Sequence, residues 1–216
     1  VWKNLDYRAA YSSPIIANVD GEDQLIVSMG NHRAGLDPKT GEVEWDLELA
    51  KSATSMMASQ NWGNDNILFG SSAYADGSRA IRLSKSGDSF LAEEIWSNRR
   101  LRVMFAPFVR IGEFIYGCSG DFGPTFMMAM NVKTGKVAWR KRGFARTHHL
   151  YADGRIILLE EEGDLAIATA TPEDLTVHSR VHVLERTAWT PPTLVGTKLY
   201  LRNRKEIKAL ELGLDQ

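Results

Sequence analysis

Apolar residues along this chain come in short runs rather than in long one-sided faces. Leu25-Ile26-Val27, Phe114-Ile115-Tyr116 and Leu199-Tyr200-Leu201 are each set off by glycine or charged residues. No window carries the i, i+3, i+4, i+7 apolar spacing of a helix. The pattern therefore predicts short β-strands throughout and an all-β chain.

The strands repeat. Lys133-Thr134-Gly135-Lys136-Val137-Ala138-Trp139 echoes Lys39-Thr40-Gly41-Glu42-Val43-Glu44-Trp45. A weaker copy is Lys85-Ser86-Gly87, followed by Glu94-Ile95-Trp96, and Val1-Trp2 matches the end of the same motif. Trp2, Trp45, Trp96 and Trp139 stand 43, 51 and 43 residues apart, and a further 44 reaches Val183. A second marker runs in phase: Ser13-Pro14-Ile15-Ile16, Ala106-Pro107-Phe108-Val109 and Pro191-Pro192-Thr193-Leu194 share an X-Pro-apolar pattern, with degenerate copies near Ser52 and His148.

A period of 40–50 residues holding four short strands is the signature of β-propeller blades. Proline cannot donate to a sheet ladder, so its strand belongs at the inner edge of a blade. Gly41, Gly87 and Gly135 supply the positive φ of a tight hairpin beside Thr40 and Thr134. Trp45, Trp96 and Trp139 then bury large rings between blades. The blades expected are 5–48, 49–98, 99–142, 143–185 and 186–213. The last has three strands, near 188–195, 198–202 and 206–212, and a strand at 1–4 is expected to complete it. The chain is then a closed five-bladed ring, or part of a seven- or eight-bladed one.

The run Ala129-Met130-Asn131-Val132-Lys133-Thr134-Gly135-Lys136-Val137-Ala138-Trp139 resembles the pyrroloquinoline-quinone (PQQ)-type, quinoprotein-like propeller repeat. That family includes quinoprotein alcohol dehydrogenases, the lipoprotein subunit of the bacterial outer-membrane β-barrel assembly machinery, and secreted bacterial propellers. The resemblance covers the chain at blade level and implies a non-catalytic binding scaffold, periplasmic or secreted, in a bacterium. The motif specifies packing and carries no chemistry of its own. The alternative it implies is a quinoprotein oxidoreductase holding PQQ and calcium, or a fragment of one. That branch covers its cofactor with an adjacent cysteine pair, and this chain has one cysteine, Cys118. No catalytic residue, cofactor or metal is therefore expected.

Composition narrows the partners. A formal net charge of −1 gives no drive toward nucleic acid. Arg99-Arg100-Leu101-Arg102 and Arg140-Lys141-Arg142 read as solvated strand ends. No apolar stretch is long enough to span a membrane, and the chain opens at Val1 with no signal peptide. Cys118 reads as a small buried hydrophobe. Asp20-Gly21-Glu22-Asp23 reads as a hairpin turn rather than a calcium loop, and Glu160-Glu161-Glu162-Gly163-Asp164 as a solvated acidic turn. His148 and His149 are adjacent in a strand, point to opposite faces and so cannot share one metal. The register places Ser12, Ser13, Ser52, Arg102, His148, His149 and Trp189 at the channel mouth, where loops on a rigid scaffold meet a protein partner or small ligand. Further blades of the same parent protein are another neighbour the repeat admits.

Overall fold

The computed structural model describes residues 1–49, 60–72, 77–103, 106, 108–120 and 125–213. They contain 19 strands, β1 to β19, and no helix. The chain divides into two compact units, Val1–Phe105 with Asn131–Lys136, and Ala106–Met130 with Val137–Gln216.

The first unit holds two four-stranded antiparallel sheets. One is β1 (Ile15–Val19), β2 (Glu22–Met29), β3 (His32–Leu36) and β4 (Val43–Glu48), side by side in chain order. The other is β5 (Asn61–Gly63), β6 (Ile67–Ser72), β7 (Gly77–Ser86) and β8 (Ser89–Asn98). Ala17, Val19, Ile26 and Trp45 of the first sheet pack with Leu68, Ile81, Leu83 and Phe90 of the second. Arg33 lies fully buried in this unit, its Nε donating to Ser28 Oγ at 3.2 Å. Burial, with Arg79 nearby, pulls its guanidinium down to about 9. Gly70 makes room for it, since a Cβ there would lie 2.2 Å from the guanidinium.

The second unit carries β9 (Val109–Ile111), β10 (Phe114–Ser119), β11 (Phe126–Asn131) and β12 (Val137–Lys141), then β13 (Thr147–Ala152), β14 (Arg155–Glu160), β15 (Asp164–Ala170) and β16 (Leu175–His182). A last sheet has three strands, β17 (Thr193–Val195), β18 (Lys198–Arg202) and β19 (Ile207–Glu211). The strand expected at residues 1–4 is not formed. Trp2 and Asn4 instead hold the β3–β4 turn, through the Pro38 and Gly41 carbonyls.

The sequence repeat has a mechanical meaning in these sheets. Every four-stranded sheet carries an irregularity in the pairing of its third and fourth strands, at Gly35/Leu36, Ala80/Ile81, Ala129/Met130 and Ile167/Ala168. In three of them a side chain closes the turn that follows: Asp37 Oδ1 accepts from the Lys39 and Thr40 amides, Asn131 Oδ1 from those of Lys133 and Thr134, and Thr171 Oγ1 from those of Glu173 and Asp174. Local bonds of this kind are what asparagine and aspartate contribute to turns.

The turn glycine then receives a tryptophan from earlier in the chain. A Cβ on Gly41 would lie 2.3 Å from the Trp2 ring, and one on Gly135 2.7 Å from the Trp96 ring. The Trp2, Trp96 and Trp139 indoles donate to the carbonyls of Pro38, Val132 and Thr171 at 3.2, 2.7 and 2.9 Å. Two residues on, Asn4, Asn98 and Lys141 donate to Gly41, Gly135 and Leu175. The latch is therefore Trp-x-Asn or Trp-x-Lys, longer than the motif legible as a repeat. Trp45 and Gly87 depart from it. Trp45 lies against Gly35 of its own sheet and donates to Gln24 Oε1 at 2.7 Å, while a Cβ on Gly87 would meet nothing.

Gly135 has φ +67. Gly135→Ala is therefore expected to cost about 2–3 kcal/mol, from left-handed backbone strain plus displacement of the Trp96 ring. In a Trp96→Ala background only the strain remains, about 1 kcal/mol, and a double-mutant cycle of urea midpoints measures the difference.

Candidate binding site at the Trp189 loop

The acidic turn after β14 is solvated only at Glu162 and partly at Asp164. Glu160 and Glu161 are each 2% exposed, which corrects the solvated reading of the run 160–164 at those two positions. Arginines distant in sequence converge on it. Arg180, near the end of β16, lies 2.7 Å from Glu160 and 3.1 Å from Asp164, and the Ala145 amide donates to Glu160. Arg146 and Arg186 approach Glu161 at 2.5 and 2.9 Å. Burial raises the Glu160 carboxyl above its ordinary value despite these donors. Burial opposes the Glu161 charge too, but hydrogen bonds from Arg146, Arg186 and the Trp189 side chain outweigh it and hold that carboxyl low. A buried carboxylate needs such partners, because an unpaired one costs several kcal/mol.

This cluster anchors the connection between β16 and β17. The Val183 and Leu184 amides donate to the Gly163 carbonyl, and the Ala188 amide to the Glu161 carbonyl at 3.0 Å. Asn203 Nδ2 and Lys208 Nζ reach back from the β18–β19 hairpin to the Glu185 and Val183 carbonyls. Beneath it Leu184 and Ala188 join Leu159, Leu165, Leu199 and Leu201 in one apolar cluster. The loop is thus held by side chains, main chain and packing together.

What it presents is Trp189, 44% exposed, with the Arg204 guanidinium 5.1 Å from its ring centre. On the inner side, the buried His148 ring lies close to the Trp189 main chain. His148 is 1% exposed, and burial, aided by neighbouring His149, lowers its imidazole to about 4. It is a neutral supporting group at physiological pH.

The other sequence-derived positions are divided between the two units. His149 is buried beside His148 in β13. Ser12 is half-buried, Ser13 exposed and Arg102 half-buried, all in the first unit. Ser52 lies outside the described residues. The sequence placed Glu161 in a solvated turn and did not single out Arg146, Arg186 or Arg204. Its only trace of them is a β14 run of apolar residues that ends directly in carboxylates.

Other chemistry is accounted for by structure. Cys118 is buried, donates to the Ala145 carbonyl, and burial pushes its thiol up to about 11, leaving no nucleophile. Asp20-Gly21 is the β1–β2 hairpin turn, and Asp20 accepts from Asn66 Nδ2 and the Lys85 amide. A cleft of 420 Å³ beside it is lined by Glu22, Asp23, Asp37 and Glu44. Lys85 pairs with Glu22 there, and burial keeps the Glu44 carboxyl above its ordinary value. Among the described residues no group of three or more histidine, cysteine or acidic side chains is placed to hold a metal ion.

No family model matches this chain, and no curated protein matches it. Among solved structures, the crystal structure of BamB from Moraxella catarrhalis matches at a TM-score of 0.69 and 15% identity, over 97% of this chain and 62% of that one. The chain therefore spans about three fifths of the length of that protein. With its all-β, four-stranded antiparallel sheets, it has the β-propeller fold found in BamB.

Proposed function

We propose that this chain is a non-enzymatic scaffold of a bacterial cell envelope or secreted protein, which binds a protein partner through the Trp189 loop. The observation that carries the reading is a half-exposed tryptophan stacked with an arginine, on a loop that a buried ion cluster prevents from moving. Tryptophan and arginine dominate binding energy at protein interfaces, because each offers a large contact area at small entropic cost. Preorganisation by Glu161 and His148 spares the partner the expense of ordering the loop. The BamB-like fold supports a scaffold role by analogy of architecture alone.

Trp189→Ala is expected to weaken partner retention by about 2 kcal/mol or more, roughly thirtyfold in Kd. Biolayer measurements on a partner cross-linked from bacterial periplasm would read this, alongside far-UV circular dichroism showing an unchanged fold. Equal binding by the variant would remove the loop from the interface. Uptake of PQQ with calcium, and dye reduction by an alcohol, would replace the scaffold reading with the oxidoreductase one.

A further inference from the structure

The cleft beside the β1–β2 turn is built around two buried atoms that lack partners. Glu44 Oε2 is buried and accepts no hydrogen bond, and Gln24 Nε2, on a side chain 0% exposed, donates none. A buried polar atom left in this state costs about 1–3 kcal/mol. The Gln24 amide cannot flip without giving up Trp45. Its Oε1 accepts from Trp45 Nε1 at 2.7 Å, and an indole nitrogen only donates, so Nε2 is turned away from Trp45 and toward Glu44. Trp96 and Trp139 reach out to hold the turn of another sheet, whereas Trp45 stays in its own and fixes this orientation.

The wall around the two atoms is negative. Glu22, Asp23, Asp37 and Glu44 line the cleft with Lys39, and Lys85 is engaged with Glu22. Burial raises the Glu44 carboxyl, and the charges of Asp37 and Glu22 raise it further. Among the described residues these carboxylates form no group placed to hold a metal ion; they are spread around a volume of 420 Å³. That volume suits a small organic cation or the end of a chain. All of these residues belong to the first unit.

We infer that the cleft captures the amino terminus of a partner polypeptide. An α-ammonium group carries donors and no acceptor, and the carbonyl of the same residue lies directly beside it. The ammonium suits Glu44 Oε2 and the neighbouring carboxylates, and the carbonyl accepts from Gln24 Nε2. One ligand thus satisfies both atoms. A lysine or arginine side chain brings the charge without the adjacent acceptor. A free amino acid brings an α-carboxylate, which a wall of this sign repels. Capture of a terminal amine is an established mode of peptide recognition. The inference uses no residue of the Trp189 loop, so it and the scaffold reading can each fail without the other.

The test is isothermal titration calorimetry of the whole chain with trialaninamide, which is expected to bind. N-acetyl-trialaninamide lacks the charge and butylamine lacks the carbonyl, so each should bind at least about tenfold more weakly. Alaninamide should also bind more weakly, because it lacks the rest of the chain that fills the cleft. Glu44→Gln should weaken trialaninamide binding by about tenfold. Should that variant fold poorly, the acetylated peptide removes the same ion pair with the protein untouched. Trp189→Ala should leave the affinity unchanged. The proposal is overturned by absence of binding, or by equal binding of the acetylated peptide or of butylamine. Equal binding of alaninamide overturns the assignment to a chain end.

Discussion

Gly163→Ala is expected to lower the unfolding free energy by about 4 kcal/mol, among the largest effects a single methyl can have. Gly163 sits in the β14–β15 turn with φ +99, a conformation costing a side chain about 1–3 kcal/mol. A Cβ there would also lie 1.6 Å from the Leu184 carbonyl oxygen, inside any possible contact. Main chain, not a flexible side chain, would have to move. Leu184 cannot move freely, because its amide and that of Val183 both donate to the Gly163 carbonyl and its side chain is 1% exposed. Losing the two bonds adds about 1 kcal/mol each. Urea unfolding followed by tryptophan fluorescence measures the total. A loss under about 1 kcal/mol would mean that the loop yields at little cost, and the fixed presentation of Trp189 would fall with it.

The second large effect is acid sensitivity through His148. Its imidazole is lowered to about 4 in the folded chain, from an ordinary 6.5. Between those values the unfolded chain binds more protons than the folded one, so stability rises with pH through the window. The contribution is complete above about pH 6.5 and lost as pH falls toward 4, amounting to about 3 kcal/mol. His148→Gln keeps a polar group at the Trp189 main chain but cannot titrate, so its stability should be nearly flat where the wild type falls. Comparing the two isolates His148 from Glu160, whose raised carboxyl works in the opposite direction over part of the range. Parallel curves for the two proteins would show that His148 is not desolvated in solution.

Both effects converge on the Trp189 loop, the proposed binding surface. Gly163 and Glu161 hold the loop from one side, His148 from beneath, and Asn203 and Lys208 from the next hairpin. Trp189 shares in that framework through Glu161 while 44% of it stays exposed, with the Arg204 guanidinium over its ring.

Much of the architecture was legible in the residues. Strand runs such as Phe114-Ile115-Tyr116 lie within β10, and the Thr-Gly turns at Gly41 and Gly135 are where the repeat places them. Such features are local: strand pattern and turn chemistry act over a few positions, and a sequence states them directly.

The sequence by itself determined the strand runs, the repeat and the turns. Tertiary structure alone decided that Trp2 and Asn4 latch the β3–β4 turn instead of forming a strand, that Trp45 turns back on its own sheet, and that Glu160 and Glu161 are core residues. The reason is range. Arg146, Arg180 and Arg186 meet those carboxylates across 15 to 25 positions. A charge pattern read along a chain counts carboxylates as solvated until folding shows which cations arrive beside them.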